Sequence, residues 1–112
     1  MKQEELQKIL EAHGKWINGE DGGARAYLTR ANLTEANLRG ANLRGADLDF
    51  SCWPLWCGGL AVKVCKRIAA QLAYHFCKLD CDDPEYIAAR NAILDFANQF
   101  HRVDECGKLE KR

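Results

Sequence analysis

The chain has 112 residues, 47% of them hydrophobic, and its 16 basic residues are balanced by 16 acidic ones. One small core is ordinary at this length, and the balanced charge excludes a molecule whose overall field draws it onto nucleic acid. The first residues are charged and no apolar run approaches the length of a signal-peptide core or a membrane span, so we expect a cytoplasmic protein. In that reducing compartment the six cysteines are expected to be thiols.

Residues 3–17 predict an N-terminal helix. Their apolar side chains recur at spacings of three and four, which forms one stripe along a helix: Leu6, Ile9, Leu10, His13, Trp16 and Ile17. The following "NGEDGG", residues 18–23, is a loop by composition. Its acidic residues lack the alternating ligands and the closing Glu of a calcium-binding loop, so we interpret it as a turn.

A leucine stands at every fifth position of "LTRANLTEANLRGANLRGADLDF", residues 28–50. A five-residue step rotates a helix by roughly 140°, and a strand alternates with period two, so neither element buries all five leucines. Such a period predicts stacked or coiled units that rely on their neighbours. The predicted repeat core comprises Leu28, Leu33, Leu38, Leu43 and Leu48, with the alanines two places before them, Ala26, Ala31, Ala36, Ala41 and Ala46.

The five units "AYLTR ANLTE ANLRG ANLRG ADLDF" resemble the pentapeptide-repeat family, whose pattern is a small residue, Asp or Asn, Leu or Phe, a polar residue and often Gly. Tyr27 and Phe50 depart from that pattern. The resemblance implies a right-handed quadrilateral β-helix with one repeat per side and the leucines and alanines inside. The Asn and Asp side chains at the corners can then hydrogen-bond the turning backbone.

Five repeats make little more than one turn of such a coil, so other parts of the protein must cover its open faces. We expect Trp16 and Ile17 to cover one end, and Trp53 and Leu55 the other. A second copy of the chain is the alternative cover, so a homodimer is equally compatible with the sequence.

Residues 51–112 predict a helical unit after an irregular link that contains Pro54 and a Gly58-Gly59 pair. A brief alternation at residues 60–64 allows a short strand, and apolar spacing predicts a helix up to residue 79. A second helix is predicted from Asp83 as N-cap to a C-cap at Gly107, with Pro84 at its first position, and the two helices form a hairpin.

The expected fold class is therefore α+β. A short right-handed quadrilateral β-helix (residues 26–50) is capped by an N-terminal helix and loop (residues 1–25), and a C-terminal helical hairpin (residues 51–112) packs on the coil. The segment that begins "SCWPLWCGG" is similar to the tails of short pentapeptide-repeat proteins carried by phages and prophages of Gram-positive bacteria.

Charged and aromatic clusters supply the candidate contact residues. The acids of residues 80–85 can imitate phosphates, as the family's surface carboxylates do, or simply cap a helix N-terminus. The two tryptophans suit a binding hot spot or a cover for the coil. Outward arginines on the repeat make it less acidic than a DNA mimic should be. The candidate partner-binding residues are Asp80, Asp82, Asp83, Glu85, Trp53, Trp56, Arg39 and Arg44.

Metal and catalytic motifs are weak. A C-x3-C…H-x4-C arrangement is a weak zinc candidate, but the hairpin separates its two halves along the helices, and small buried thiols are the ordinary alternative. Cys52 and Cys57 can pair if oxidised. Phosphate-binding loops, nucleophile elbows and HExxH are missing, so we expect no enzyme and no cofactor. The four zinc candidates are Cys77, Cys81, His101 and Cys106.

Three binding functions remain open. The first is a phage-encoded inhibitor of a host nucleic-acid machine, most concretely an anti-CRISPR protein that blocks DNA binding or activation of the effector nuclease. The second is a DNA-mimicking inhibitor or protector of gyrase, and the third is a structural adaptor. The expected partner is a host protein complex, with no direct contact to nucleic acid or membrane.

Overall fold

The computed structural model describes all 112 residues and divides the chain into two compact units, residues 1–65 and residues 66–112. Helices contain 42% of the residues. None of these helices combines the length and the apolar character needed to cross a membrane. The elements are α1 (Gln3–Ile17), a 3-10 turn (Cys57–Gly59), α2 (Lys66–Cys77), α3 (Pro84–Ala92), α4 (Leu94–Ala97) and α5 (Val103–Cys106).

The expected α+β class with a quadrilateral β-helix is wrong, because the structure contains no sheet. Only 5% of the residues pair as strands do, and they form three isolated parallel bridges, Tyr27 with Asp47, Asn32 with Cys52, and Asn42 with Lys63. The strand allowed at residues 60–64 is likewise reduced to the single bridge residue Lys63.

The spacing of the turns explains why no strand forms. In four of the five turns the amide of an alanine donates to the carbonyl of the leucine three residues earlier, as Ala31 does to Leu28 at 3.0 Å, and in the fifth Ser51 donates to Leu48 at 3.1 Å. Each turn therefore uses four of the five residues in a repeat. Pairing with a neighbouring segment is therefore interrupted at every turn and is limited to separate bonds, such as those from Leu28 to Asp47 and from Arg30 to Asp49.

Several of these turns require a positive φ at their third residue, as type II turns do. Gly40 and Gly45 meet that requirement with φ values of 75° and 80°. Arg30 and Phe50 adopt 64° and 62° at the same position, which is costly for residues with a Cβ. The Arg30 guanidinium lies 4.6 Å from the centroid of the Phe50 ring, so these two turns contact each other.

The turning backbone buries the leucines by folding back beside itself. Leu28 donates its amide to Asp47 at 2.8 Å, and Leu43 donates to Lys63 at the same distance. The structure places all five leucines in the interior, and Leu33, Leu38 and Leu43 are fully enclosed. Among the paired alanines, Ala26, Ala36 and Ala46 are buried and Ala31 and Ala41 are half-buried.

Helix α1 covers part of this interior, but through other residues than expected. Trp16 and Ile17 remain 44% and 36% exposed, whereas Leu6 and His13 are buried. Hydrogen bonds to the backbone explain why His13 is buried. His13 Nδ1 accepts a hydrogen bond from the Ala26 amide at 3.0 Å, and its Nε2 donates to the Arg44 carbonyl at 2.8 Å. One imidazole thus satisfies a donor and an acceptor of the turning backbone.

The other expected cover is also different. Leu55 is 95% exposed and Trp53 is half-buried, while Pro54 between them is buried. Pro54 has no amide hydrogen, so it can be buried without leaving an unsatisfied donor.

The second unit is built around an apolar cluster from α2, α4 and the segment after α5. Tyr74, Cys77, Leu94, Ala97, Phe100 and Leu109 form this cluster. The single helix predicted from Pro84 to Gly107 is replaced by three short helices, α3, α4 and α5. Asp83 does cap α3, accepting from the amides of Glu85 and Tyr86.

The His13 contacts predict a large effect of His13→Leu. The substitution leaves the Ala26 amide and the Arg44 carbonyl without their partner, so we expect it to lower the free energy of unfolding by about 2–4 kcal/mol. Urea denaturation measures this loss. Glu11→Leu, at an exposed site on the same helix, should change stability by less than about 0.5 kcal/mol, and an equal loss in both variants would contradict the assigned role of His13.

Substitution of Gly14 and of Gly40 by alanine should change the stability of the protein in opposite directions. A Cβ would meet nothing within 4 Å at either Gly14 or Gly40, but Gly40 alone has a positive φ. Gly40→Ala should destabilise the protein by about 1 kcal/mol, because an L-residue is strained there. Gly14→Ala lies in α1 and should stabilise by about 0.5–1 kcal/mol. Thermal or urea unfolding of both variants checks the difference in sign.

Candidate protein-binding surface

Residues 53–57, here called the tryptophan loop, are fixed to the repeat by hydrogen bonds on both sides. Cys52, just before the loop, donates its amide to the Ala31 carbonyl at 2.9 Å, and the Leu38 amide donates to Gly58 just after it at 2.7 Å. Within the loop, the Trp56 indole N–H donates to the Ala36 carbonyl at 3.1 Å. The loop is therefore held on the repeat, although only its last residue, Cys57, belongs to a regular element.

The two glycines that follow the loop are required by close packing. A Cβ at Gly58 would lie 2.3 Å from the Trp56 ring, and one at Gly59 would lie 2.0 Å from the Pro54 carbonyl oxygen. Only glycine permits both approaches without a shift of backbone or ring. The "CGG" sequence thus fixes the orientation of Trp56.

The tryptophan loop borders an open pocket of about 510 Å³, lined by Thr34, Glu35, Trp53, Leu55 and Trp56. Trp56 is 48% exposed and Leu55 almost fully exposed, so the lining offers a large apolar area to solvent. Thr34 and Glu35 lie in one turn of the repeat and add a hydroxyl and a carboxylate to the pocket. Such an apolar pocket with a few polar groups suits a side chain from another molecule.

The structure assigns different positions to the other predicted contact residues. Arg39 and Arg44 have exposed side chains at turn positions, and their amides donate to the side chains of Asn37 and Asn42. Neither arginine lines the pocket. The four acids Asp80, Asp82, Asp83 and Glu85 belong to the second unit and are exposed, and the carboxylate of Asp83 is engaged as a helix cap.

The zinc candidates are not assembled. The structure contains no group of three or more His, Cys, Asp or Glu side chains that could hold a metal ion. Cys77 is buried, with its thiol donating to the Arg90 carbonyl at 3.8 Å, whereas Cys81, His101 and Cys106 are exposed. Burial raises the pKa of the Cys77 thiol, and the positive charges of Arg90 and Arg112 oppose that rise only in part. Burial therefore disfavours the thiolate form of Cys77, which is the form that binds zinc.

Sequence reasoning identified the two tryptophans but missed three lining residues. Leu55 was expected inside, and nothing marked Thr34 or Glu35 among the polar repeat positions. No sequence signal marks Leu55 as exposed, because the burial of the neighbouring Pro54 is known only from the folded chain. Thr34 and Glu35 could be found only once the chain was folded, since they are about twenty residues from the loop in sequence.

Comparison with known proteins supports the repeat assignment. Residues 24–52 match the family model described as Pentapeptide repeats (8 copies), which confirms the prediction of pentapeptide repeats in this part of the chain. No significant match was found among curated proteins or among solved structures. Pentapeptide repeats are typical of proteins that act through binding and protein interaction.

Cysteine alkylation tests the assignment of Cys77 as a buried thiol. At pH 8 we expect iodoacetamide to modify Cys77 at least about tenfold more slowly than the exposed Cys81, because burial hides the sulfur and its raised pKa lowers the thiolate fraction. Mass spectrometry of the peptides measures both rates. If a chelator accelerated the alkylation of Cys77, Cys81 and Cys106 together, a shared metal would be the better explanation.

Proposed function

We propose that the protein acts by binding another protein through the tryptophan loop and its pocket. The exposure of Leu55, 95% in a loop that is otherwise anchored, is the observation that carries this proposal. A single exposed leucine is common on protein surfaces, but this one lines the same pocket as two tryptophans. A loop held by hydrogen bonds also loses little conformational freedom when it binds.

The lining residues indicate the chemistry of the partner. Trp53, Leu55 and Trp56 suit an aromatic or aliphatic side chain that enters the pocket. Glu35 at the same pocket favours a basic residue beside that side chain. When the bound partner excludes water from the pocket, the carboxylate attracts a cation more strongly than it would in bulk solvent. An apolar residue flanked by Lys or Arg on a partner protein fits both features.

The concrete form of this proposal is inhibition of a host nucleic-acid machine, specifically an anti-CRISPR activity against an effector nuclease. Support comes from the expected partner chemistry, because the channels of such nucleases that hold nucleic acid are positively charged. The exposed acids of residues 80–85 provide a second surface that is complementary to such a channel. Binding there would exclude DNA without any chemical step by this chain.

Duplex imitation of the kind directed at gyrase is less well supported. On the repeat, Arg39 and Arg44 are exposed, and Asp47 is half-buried with its carboxylate accepting from the Asp49 amide. A surface that imitates DNA needs rows of free carboxylates, and these positions do not supply them.

A DNA-cleavage assay with a purified CRISPR effector tests the proposal and its surface together. Wild-type protein should slow cleavage, and Leu55→Asp should weaken the inhibition at least about tenfold, because a buried charge in the contact is costly. Leu60→Asp is the matched control, since Leu60 is 57% exposed but does not line the pocket, and it should inhibit like the wild type.

The outcomes separate the partner from the surface. Undiminished cleavage at large molar excess of wild-type protein would reject the anti-CRISPR proposal. Equal inhibition by the wild type and Leu55→Asp would reject the tryptophan loop as the contact surface. A parallel supercoiling assay with gyrase tests the alternative, which fails if supercoiling continues unchanged.

A further inference from the structure

Residues 107–112, here called the 107–112 segment, follow α5 in the second unit. Gly107 ends α5 with a φ of 98°, a conformation that glycine adopts without strain, and its carbonyl accepts from the Tyr74 hydroxyl at 2.6 Å. The segment thus starts at a sharp change of direction and continues without regular secondary structure of its own.

Two asparagine side chains hold the backbone of this segment. The Asn98 amide accepts from the Leu109 N–H at 2.8 Å and donates to the Leu109 carbonyl at 2.9 Å. The Asn91 amide makes the same pair of bonds to Arg112, at 3.1 and 3.2 Å. Each asparagine therefore occupies the position that a neighbouring β-strand would take, with one donor and one acceptor to the same residue.

The two asparagines hold points of the segment that are three residues apart. Asn91 lies in α3 and Asn98 directly follows α4, and their targets are Arg112 and Leu109. Three residues of extended backbone span about 10 Å. The two amides therefore hold the segment at two separate points, each through both the N–H and the carbonyl of one residue.

Further contacts involve two side chains of the segment, one apolar and one basic. The Leu109 side chain is buried in the apolar cluster of the unit. Between the residues held by the two asparagines, Glu110 accepts a hydrogen bond at its carbonyl from the NH1 group of Arg90 at 2.8 Å. Arg90 is only 2% exposed. The Arg112 side chain donates to the Leu79 carbonyl at 2.9 Å, and its guanidinium lies 5.9 Å from the centroid of the Tyr86 ring.

The remaining side chains of the segment take no part. Lys108, Glu110 and Lys111 are exposed, so the groove recognises backbone plus a leucine and an arginine three residues later. Extended peptides are commonly recognised in this way, by main-chain hydrogen bonds for affinity and separate pockets for alternate side chains.

We propose that the groove formed by Tyr74, Arg90, Asn91 and Asn98 is a recognition site for an extended Leu-x-x-Arg segment of a partner protein, and that the 107–112 segment occupies it as an intramolecular ligand. A partner segment with this pattern replaces residues 107–112 and makes the same hydrogen bonds. The segment can leave without disrupting a sheet, because its backbone is hydrogen-bonded by asparagine side chains and not by a neighbouring strand. This site lies in the second unit and is independent of the tryptophan loop.

The test uses the full-length protein and a fluorescently labelled peptide with the sequence GKLEKR, that of residues 107–112. Leu109→Asp removes the apolar anchor of the internal segment, so the groove becomes available. We expect this variant to bind the peptide at least about tenfold more tightly than the wild type, in which the internal segment competes. Fluorescence anisotropy measures the two affinities.

A second variant and two controls keep the test decisive if Leu109→Asp unfolds. Gly107→Val leaves every groove residue unchanged but disfavours the backbone turn that directs the segment into the groove, and it should also raise peptide affinity. The peptide GKDEKR should bind at least about tenfold more weakly, as should a variant that combines Gly107→Val with Asn98→Ala. If Gly107→Val, folded by circular dichroism, binds GKLEKR no better than the wild type, or if Asn98→Ala has no effect on binding, the proposal is overturned.

Discussion

A backbone that turns at every fifth residue is the constraint on which residues 1–65 depend. Each turn uses four residues, so pairing between neighbouring segments is limited to isolated bridges, and the remaining buried amides and carbonyls need separate partners. The leucines at the start of each turn point inward and form the interior that those turns enclose. Both the absence of a sheet and the need for external covers follow from this geometry.

Because these backbone groups need separate hydrogen-bond partners, a histidine of α1 is buried against the repeat. An apolar side chain at position 13 would bury area but leave one backbone donor and one backbone acceptor unsatisfied. His13 meets both, and it also stacks on the Trp16 ring at a centroid distance of 5.3 Å. Trp16 is then free to remain partly exposed. The need to hydrogen-bond two buried backbone groups therefore explains why His13, and not Trp16, is buried in this stripe.

Side-chain hydrogen bonds to backbone also organise the second unit. At the end of α2 and just after it, the Tyr86 hydroxyl donates to the carbonyls of Phe76 and Leu79, and Arg90 donates to the carbonyl of Cys77. Arg90 is buried, and its charge at a helix C-terminus interacts favourably with the helix dipole. Both units thus use individual polar side chains where larger proteins use sheets, and these contacts leave defined surfaces, the tryptophan loop in one unit and the peptide groove in the other.

The sequence by itself determined the periodic features. Apolar spacing gave the bounds of α1, the five-residue period located the repeat, and Asp83 before Pro84 located the start of α3, because each depends only on local geometry. Tertiary structure decided the rest. The β-helix prediction was wrong because the turns limit pairing between segments to isolated bridges, the second long helix is replaced by three short ones, and Leu55 is exposed while Pro54 is buried. Those outcomes depend on which distant backbone groups and side chains meet, for example Asn98 with Leu109, and a linear pattern does not contain that information.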